Sequence, residues 1–393
     1  MRKRLLIVEN NAKIGGIQKA LVSLLMQIHN EYDITLLLLC KEGSLLQEIP
    51  KDIWVLQTRS DFRFMGMAQA DCADSFERIR RGGYALVSRF AGRRCAVEIA
   101  SCTRSRDRQE QYDVAISFSH ISQEKSFYSG TAEYVLRCVR ARKKICYIHC
   151  DYLNSGNRSP YSDHLYRKFD AIVCVSNSTR RNFVEALPDM EGRTFACLNP
   201  IDAEEIRRKA MMDPVEYDSR YLNLLSVARL IPEKGIARFV RLLSKVDTSK
   251  IKYTIVGEGS ERREIEQLIN EFHLENVVVL CGEQKNPYRY MTNADVLIVP
   301  SRHEAAPVVF QEARVLCLPV WTTRTTSADE MIGDRFGFVV DNSDAGMENG
   351  FRPLLDRPES VLDRKMEMQR NLCSNESEIG ISEIIDKLME GIE

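Results

Sequence analysis

The chain has 393 residues, a hydrophobic fraction of 44% and a formal net charge of −1. This length exceeds one typical core and predicts two domains, and the composition is that of an ordinary globular protein. No apolar run approaches the ~18–20 residues that cross a bilayer, and the run that ends before Glu9 is too short for a signal-peptide core.

Cysteine and charge narrow the functional classes further. Twelve scattered cysteines without a Cys-x-x-Cys pair predict free thiols in a cytoplasmic protein.

Charge is unevenly distributed along the chain. Residues 1–200 hold 30 Lys+Arg against 22 Asp+Glu, whereas the remainder holds 25 Lys+Arg against 34 Asp+Glu. Nine arginines and two acids lie between Arg78 and Arg108. Such a cluster is ordinarily a solvated surface; the functional alternative is attraction to an anionic membrane or a phosphate-bearing acceptor. Neither a motif nor overall basicity supports nucleic-acid binding.

Short apolar runs alternate with helical patterns along the chain, which is typical of parallel sheets with helices on both faces. The strands predicted in the first half are Arg4–Val8, Ile34–Leu39, Trp54–Leu56, Val114–Ser117, Lys144–Ile148, Ala171–Cys174 and Thr194–Leu198. Those predicted in the second half are Leu222–Ala228, Lys252–Val256, Val277–Cys281, Val296–Val299, Val320–Thr322 and Gly337–Val340. We therefore expect an α/β protein with two doubly wound domains, residues 1–200 and 201–393. The link is expected between about Asn199 and Arg220 and is expected to include a charged helix, Ala203 to Met211. The charged tail, Glu359 to Glu393, is expected to be helical and to pack back across the junction.

A glycine pair, Gly15-Gly16, separates the first strand from the first predicted helix. Paired glycines there let the backbone approach a ligand, although a plain tight turn explains them equally well. The pattern is neither Gly-x-Gly-x-x-Gly nor a Walker loop, which disfavours a nicotinamide or flavin site.

Two cations, Arg229 and Lys234, follow the first strand of the second half. Because ligands of open α/β sheets bind beyond the carboxyl ends of the strands, this pair suits a diphosphate whose negative charge grows during bond cleavage. Gly257 marks the next strand-to-helix turn. Cys281 and Gly282 end another strand, where main-chain groups could read a base edge.

The most informative stretch joins a buried strand, a tight loop and a helix that we expect to begin with Pro307. This arrangement predicts a phosphate site, and because Pro307 lacks an N–H, the amides of Val308 and Val309 would serve it. Glu304 lies in the loop, whereas Glu312 lies within the helix, on the order of 7 Å further along. Two acids flanking a phosphate suit a nucleotide-sugar.

The order of these motifs, Gly-Gly, Asn-Pro-Ile-Asp, Arg-x4-Lys, Val-Gly-x-Gly and Glu-x7-Glu, resembles the family 4 retaining glycosyltransferases of the GT-B fold along essentially the whole chain. The resemblance implies two Rossmann-like domains that face a central cleft, with the donor bound by the second. It implies that Arg229 and Lys234 hold the donor diphosphate. Glu304 would face the donor sugar, and Glu312 would bind the ribose hydroxyls.

In the first domain the resemblance implies that Gly16 lies near the sugar and phosphate. It also implies that His149 contacts the sugar, with His120 as a rival for this role. The chain departs from the family at Ala305-Ala306-Pro307, where a glycine-rich run is usual. Relatives with a proline at this position are familiar, so the departure does not suggest an inactive site.

The implied activity is transfer of a hexose or N-acetylhexosamine, with retention of configuration, from a nucleotide-diphospho-sugar to a hydroxyl of a lipid-linked or growing bacterial surface glycan. UDP is expected over GDP. The chain has no Asp-x-Asp, so we expect neither a metal nor another cofactor. A cytoplasmic enzyme that touches the anionic inner membrane is expected. Three alternatives stay open: a sugar-nucleotide 2-epimerase, a non-catalytic partner subunit and, distantly, a nicotinamide dehydrogenase.

Overall fold

The computed structural model describes residues 2–102, 111–370 and 380–390. These residues form two compact units. The first runs to Pro200 and includes the last helix of the chain, and the second begins at Ile201.

The first unit contains a seven-stranded parallel sheet in the order β3-β2-β1-β4-β5-β6-β7. Its strands are β1 (Arg4–Glu9), β2 (Asp33–Leu38), β3 (Trp54–Gln57), β4 (Gln111–Ser117), β5 (Arg140–Ile148), β6 (Ala171–Cys174) and β7 (Thr194–Ala196). Its helices are α1 (Gly16–Ile28), α2 (Ser75–Ala91), α3 (Arg93–Cys102), α4 (Thr131–Cys138), α5 (Pro160–Tyr166) and α6 (Asn177–Ala186). Helices cover both faces of such a sheet, which is why its central strands read as continuous apolar runs.

The second unit contains a six-stranded parallel sheet in the order β10-β9-β8-β11-β12-β13. Its strands are β8 (Leu222–Val227), β9 (Ile251–Val256), β10 (Val278–Gly282), β11 (Val296–Val299), β12 (Val320–Thr323) and β13 (Gly337–Val340). Its helices are α7 (Ala203–Ala210), α8 (Ile236–Leu243), α9 (Arg262–Glu271), α10 (Tyr288–Met291), α11 (Val308–Val315), α12 (Ala328–Met331), α13 (Asp344–Asp356) and α14 (Glu359–Arg370).

The doubly wound α/β fold predicted from the sequence is confirmed, because each predicted strand has a counterpart. The largest boundary error is at β5, predicted from Lys144 but beginning at Arg140. Its first residues are charged, yet they pair with β4 through Gln111 and Tyr112. An apolar pattern cannot reveal a strand extension whose side chains face water.

The predicted link contains the charged helix α7 (Ala203–Ala210), as expected from the sequence. Most of it belongs to the second unit, because α7 packs against α10 and α11. The Asn286 side chain also donates to the Lys209 carbonyl at 2.8 Å. The second unit therefore begins within the predicted link, at Ile201.

Helix α15 (Ile381–Met389) belongs to the first unit. Ile381, Ile384 and Ile385 are buried, and Lys3 pairs with Asp386 at 2.6 Å. Within the described ranges, none of the helices combines the length and apolar character needed to cross a bilayer.

Candidate functional site

In the second unit, the loops that carry the predicted site residues leave one edge of the sheet. They follow β8, β9, β10 and β11, whose parallel direction brings their carboxyl ends to the same side. β8 and β11 are neighbours although β9 and β10 lie between them in the chain, so the strand order reverses here. A reversal of this kind opens a crevice for ligands beyond the strand ends.

Lys234 and Glu304 meet across this reversal point. The Lys234 Nζ donates to Glu304 Oε1 at 2.5 Å, and Ser301 Oγ donates to the same oxygen at 2.7 Å. The two charged side chains are 25% and 10% exposed, respectively. An ammonium has three N–H donors, so Lys234 can hold Glu304 and still offer donors to phosphate oxygens. The contact fixes the carboxylate and places a cation beside it.

The loop that carries Glu304 is clamped by a buried arginine that sequence reasoning missed. Arg238 of α8 donates to the Pro300 carbonyl at 2.9 Å and to Asn342 Oδ1 at 2.6 Å, with longer contacts of 3.4 Å to the Ser301 and Asn342 carbonyls. Burial, and secondarily the like charge of Arg302, lowers the pKa of Arg238. An arginine among the apolar residues of α8 was the available sequence signal.

A glycine between Lys234 and α8 allows the loop that carries Glu304 to lie close to the start of α8. Gly235 has φ +66°, and a Cβ there would lie 2.1 Å from the Pro300 carbonyl oxygen. Only glycine fits this conformation and this approach. The Arg302 amide also donates to the Glu233 carbonyl at 2.8 Å, so backbone contacts join the two loops.

Arg229 lies in a turn supported by the glycines of the Val-Gly-x-Gly motif. A Cβ on Gly257, whose φ is +149°, would lie 1.8 Å from the Ala228 carbonyl oxygen. A Cβ on Gly259 would lie 2.2 Å from the Leu230 carbonyl oxygen. These glycines therefore have a packing role: they let the β9 loop support the Arg229 turn. The Arg229 side chain is exposed and, among the described residues, has neither a hydrogen bond nor an ion pair.

Helix α11 begins one residue later than predicted. Pro307 precedes it with φ −64° and ψ 123°, because the extended ψ keeps this residue outside the helix. Val308 and Val309 are then its first two residues, and their amides have no carbonyl one turn earlier in the helix. Ala306 and Pro307 are buried beneath this end. The predicted amides thus lie at the helix terminus that favours an anion.

Glu312 is 4% exposed and lies on the same helix. The Tyr288 hydroxyl donates to Glu312 Oε1 at 2.8 Å. Tyr288 follows β10 on α10 and was not predicted as a site residue. Its hydrogen bond fixes the carboxylate orientation, whereas only the carboxylate itself was visible in the sequence pattern.

Two backbone carbonyls at the end of β10 already accept hydrogen bonds within the second unit. Gln284 Nε2 donates to the Cys281 carbonyl at 2.8 Å, and the Gly257 amide donates to the Gly282 carbonyl at 2.8 Å. Gly282 has φ +69°, which turns the chain sharply out of the strand. The β9 and β10 loops are therefore joined where a base-reading backbone was predicted.

In the first unit, the glycine pair caps α1 beside the point where β1 adjoins β4. Gly15 has φ −174°, which is ordinary extended backbone, so a left-handed turn does not explain it. A Cβ on Gly15 would meet only the flexible end of Gln18, and one on Gly16 would meet nothing within 4 Å. The open space at Gly16 suits the close approach of a ligand.

A buried carboxylate, also missed from sequence, organises this edge. Glu9 accepts hydrogen bonds from Ser119 Oγ at 2.7 and 2.9 Å and from the side chains of Asn10 and Gln18 at 3.2 and 3.3 Å. Burial raises the pKa of Glu9. Glu9 thus joins the ends of β1 and β4 to α1. Its position directly after an apolar strand was the only clue.

His149 follows β5, and its rival His120 follows β4, so both reach this edge. Burial, reinforced by His120, lowers the pKa of His149 to about 3, whereas a hydrogen bond to the Phe118 backbone opposes the shift. Burial lowers the pKa of His120 to about 4. Within the described part of the chain, His149 Nε2 and His120 Nδ1 have no hydrogen-bond partner. Both shifts favour the neutral imidazole at pH 7.

Comparison with known proteins finds a family match over the segment that carries the predicted site residues of the second unit. Residues 208–371 match the family model described as "Glycosyl transferases group 1". This match lies within the second unit. The matched range includes Arg229, Lys234, Glu304 and Glu312.

Two curated relatives are bacterial enzymes of glycan assembly. The N-acetylgalactosamine-N,N'-diacetylbacillosaminyl-diphospho-undecaprenol 4-alpha-N-acetylgalactosaminyltransferase of Campylobacter jejuni is 31% identical over 195 residues, which are 49% of this chain and 52% of that protein. The amylovoran biosynthesis glycosyltransferase AmsD of Erwinia amylovora is 32% identical over 119 residues, 30% of this chain and 34% of that protein. The matched region thus spans about half or less of each relative.

Solved structures share the fold along the whole chain. HepE of Anabaena in complex with UDP and glucose superposes with a TM-score of 0.66 at 16% identity, covering 100% of this chain and 99% of that one. WaaG, a glycosyltransferase involved in lipopolysaccharide biosynthesis, gives a TM-score of 0.62 at 16% identity, covering 98% and 100%. The chain has the two-domain α/β fold of GT-B glycosyltransferases.

Proposed function

We propose that the protein is a retaining, metal-independent glycosyltransferase that moves a hexose or N-acetylhexosamine from a nucleotide-diphospho-sugar to an acceptor hydroxyl. The observation that carries the proposal is the set of cations and carboxylates at one reversal point of a parallel sheet, inside the matched domain. Lys234, Glu304 and Ser301 form one hydrogen-bonded group there. Glu312 is held separately by Tyr288.

Each role follows from the chemistry of a diphosphate leaving group. The bond between the anomeric carbon and the diphosphate oxygen breaks, and negative charge accumulates on that phosphate. Lys234, Arg229 and the first amides of α11 are the donors suited to stabilise this charge. Glu312 would accept hydrogen bonds from the ribose hydroxyls, and Glu304 would accept them from the donor sugar.

Retention and metal independence are proposals that rest on these same groups. The acceptor oxygen would bond to the anomeric carbon on the face that the diphosphate leaves, and the acceptor proton would pass to the departing phosphate oxygen. Fixed cations would provide the charge stabilisation for which a divalent ion is otherwise suited. Unchanged rates after treatment with EDTA would support metal independence, and a loss restored by Mn²⁺ or Mg²⁺ would overturn it.

The acceptor and nucleotide are proposed by similarity. The Campylobacter jejuni relative is named for an undecaprenol diphosphate acceptor, and the HepE structure contains UDP. We propose UDP for the donor and a lipid-linked or growing surface glycan for the acceptor. A thermal-shift panel of UDP- and GDP-sugars tests the first choice, because a ligand that binds only the native state raises its stability.

The decisive test compares Lys234→Met and Glu312→Gln with Lys245→Met, a control on an exposed lysine of the same unit. We expect donor turnover to fall by roughly 100-fold or more in the first two variants, the range for loss of one transition-state donor. Full activity in folded Lys234→Met and Glu312→Gln would remove the proposal. Products formed without acceptor would instead favour the epimerase. Calorimetry that detects no donor binding would favour a non-catalytic subunit.

A further inference from the structure

A buried arginine at the start of α3 holds part of a loop in the first unit. Arg93 is 0% exposed, and its Nε donates to Glu133 Oε1 at 2.6 Å. Its Nη1 donates to the Ser126 and Tyr128 carbonyls at 2.8 Å each, and its Nη2 donates to the Ser129 carbonyl. A buried ion pair is weak evidence for a stabilising role, because apolar residues of similar volume often replace it without loss of stability. The three carbonyl contacts therefore need another explanation.

The contacts of Arg93 order a long connection. All three carbonyls belong to the β4–α4 loop, residues 118–130, which contains neither a helix nor a strand. Connections of this length without secondary structure are uncommon in compact domains and are usually functional. Ser129, near the end of the loop, has φ +61°, a left-handed conformation that a non-glycine residue keeps only where its surroundings impose it. The hydrogen bond from Arg93 to the Ser129 carbonyl helps to impose it.

Ser129 connects Arg93 to His120. The Ser129 hydroxyl donates to the His120 carbonyl at 2.8 Å, while the Ser129 carbonyl is held by Arg93. Arg93 also lies close enough to act on the charge of the imidazole: burial lowers the pKa of His120 to about 4, Glu9 opposes this shift and Arg93 reinforces it. The backbone from which the imidazole projects is therefore fixed by a side chain of another element.

The same loop supports the segment that leads from β1 to the glycine pair. Asn10 Nδ2 donates to Ser129 Oγ at 3.3 Å, and Asn11 Nδ2 donates to the Tyr128 hydroxyl, also at 3.3 Å. Both asparagines are buried, at 3% and 4% exposure. Because Arg93 holds the backbone of Ser129 and Tyr128, a shift of the loop would also shift the segment before the glycine pair.

We infer that Arg93 is a positioning residue, whose contacts with the β4–α4 loop fix the His120 backbone and the segment before the glycine pair. The inference rests on the proposed function, in which these groups approach the donor sugar. A misplacement on the order of 1 Å can slow an enzyme by roughly 100-fold although the altered residue lies away from the reacting atoms. Loss of Arg93 should therefore lower kcat, whereas donor affinity, which the proposed function assigns to the second unit, should change little.

A purely structural ion pair is the alternative, and Glu133→Gln separates the two. Glutamine keeps an oxygen that can accept from the Arg93 Nε, and the three carbonyl contacts of Arg93 remain. The buried guanidinium then loses its counter-charge, so this variant should be less stable. Arg93→Met removes the ion pair and the carbonyl contacts together. A structural role predicts similar kinetics for both folded variants, whereas a positioning role predicts that only Arg93→Met is slow.

The test measures initial rates of the full chain with the nucleotide-sugar selected by thermal shift and a water-soluble acceptor analogue. Circular dichroism sets a temperature at which each variant is folded. We expect kcat to fall roughly 10–100-fold in Arg93→Met and to stay at the wild-type level in Glu133→Gln. Arg94→Met is the matched control, because Arg94 lies on the same helix but forms an exposed pair with Glu98 at 3.0 Å. Calorimetry should give similar donor Kd values for all variants.

Ser129→Ala tests the same inference if Arg93→Met does not fold. It removes only the hydroxyl that joins His120 to Asn10, so we expect a folded protein with a kcat roughly tenfold lower. Hydrogen exchange provides a readout besides activity: amides of residues 118–130 should exchange faster in Arg93→Met than in Glu133→Gln.

Three results would overturn the inference: wild-type kcat in folded Arg93→Met or Ser129→Ala, unchanged exchange of the β4–α4 loop in Arg93→Met, or an equal loss of kcat in Glu133→Gln. Absence of turnover in the wild type would refute the proposed function. Wild-type turnover that the variants retain would refute the role of Arg93 alone, so the two failures are distinguishable.

Discussion

Replacing Arg238 with methionine tests whether the geometry of the Glu304 loop depends on a clamp outside the predicted motifs. The guanidinium holds Pro300 and Ser301 at the end of β11 and Asn342 after β13. Methionine has similar length but no donor, so it removes the clamp while keeping most of the packing. The expected result is a less stable second unit and a slower enzyme.

The magnitude follows from the two short hydrogen bonds, at 2.9 Å to Pro300 and 2.6 Å to Asn342. A hydrogen bond to a charged group contributes about 1.5–3 kcal/mol, which gives roughly 3–6 kcal/mol for the pair. Part of this is offset, because methionine avoids the cost of burying a charge. We expect a net loss of about 2–4 kcal/mol, and roughly 5–12 °C in Tm for a unit of this size.

Thermal unfolding and initial rates at a temperature where the variant is folded provide the assay. A displacement of the Glu304 loop on the order of 1 Å should lower kcat by roughly 10–100-fold. Donor affinity should change less, because Glu312 and Tyr288 lie on other elements. Arg241→Met is the matched control: Arg241 lies on the same helix but forms an exposed ion pair with Glu264, worth at most about 1 kcal/mol.

Arg238→Lys separates charge from geometry, because one ammonium cannot reproduce the fork that reaches both acceptors. We expect partial recovery of stability and little recovery of kcat. If Arg238→Met unfolds and turns over like the wild type, the clamp is irrelevant and the reasoning is wrong. A loss of stability with unchanged kcat would show that the arginine is structural and does not position Glu304.

Three further outcomes follow from single contacts. Tyr288→Phe should weaken donor binding roughly tenfold by calorimetry, since it removes one hydrogen bond to the Glu312 carboxylate. Gly257→Ala should cost about 2–4 kcal/mol in denaturant unfolding, whereas Gly16→Ala should leave stability intact and lower activity. Because the folded-state pKa of His149 is about 3 against an ordinary 6.5, the unfolded chain binds this proton first. The contribution of this group is therefore fully present above pH 6.5, and about 2 kcal/mol of it is lost by pH 5.

Each of these outcomes has a control. Tyr221→Phe should leave donor affinity unchanged, and an equal effect of both tyrosine variants would argue against a role at Glu312. An unaltered midpoint for Gly257→Ala would contradict the close approach to Ala228. His149→Gln should reduce the loss of stability between pH 7 and pH 5, whereas His164→Gln, on an exposed histidine, should not reduce it. The same acid sensitivity in both histidine variants would refute a neutral His149 in the folded state.

The motif residues could be predicted because they follow apolar strands directly. In a parallel sheet, the carboxyl ends of all strands emerge on one side, so residues at those ends converge whatever the length of the intervening helices. Arg229, Lys234, Gly257 and Glu304 follow strands of the second unit, and Gly16 follows β1 in the first, as the sequence predicted. Their roles at a donor site stay predictions. Short apolar runs also indicated every strand, because most strands are buried between helices, although the edge strand β3 is largely exposed.

The contacts that orient those residues could not be predicted. Arg238 and Tyr288 are polar residues within helices, where the local pattern gives no sign of the partner across the sheet. Glu9 is an acid at the end of β1, and only the contact with Ser119, which follows β4, shows that it is buried. Sequence separations of 62 residues for Arg238–Pro300 and 110 for Glu9–Ser119 illustrate why.

The orientation of α2 could not be predicted from the sequence either. Its sequence has an apolar stripe, formed by Phe76, Ile79, Leu86 and Phe90, which by itself predicts a helix packed with that stripe inward, yet all four side chains are exposed. Tyr84, stacked on Phe127, and Arg80, bound to Asp61, fix the opposite orientation. The amino-acid order thus determined which segments are strands and helices and which residues end at a common edge. Tertiary packing decided which side of each helix meets solvent and which carboxylates are held, because both depend on partners distant in the chain.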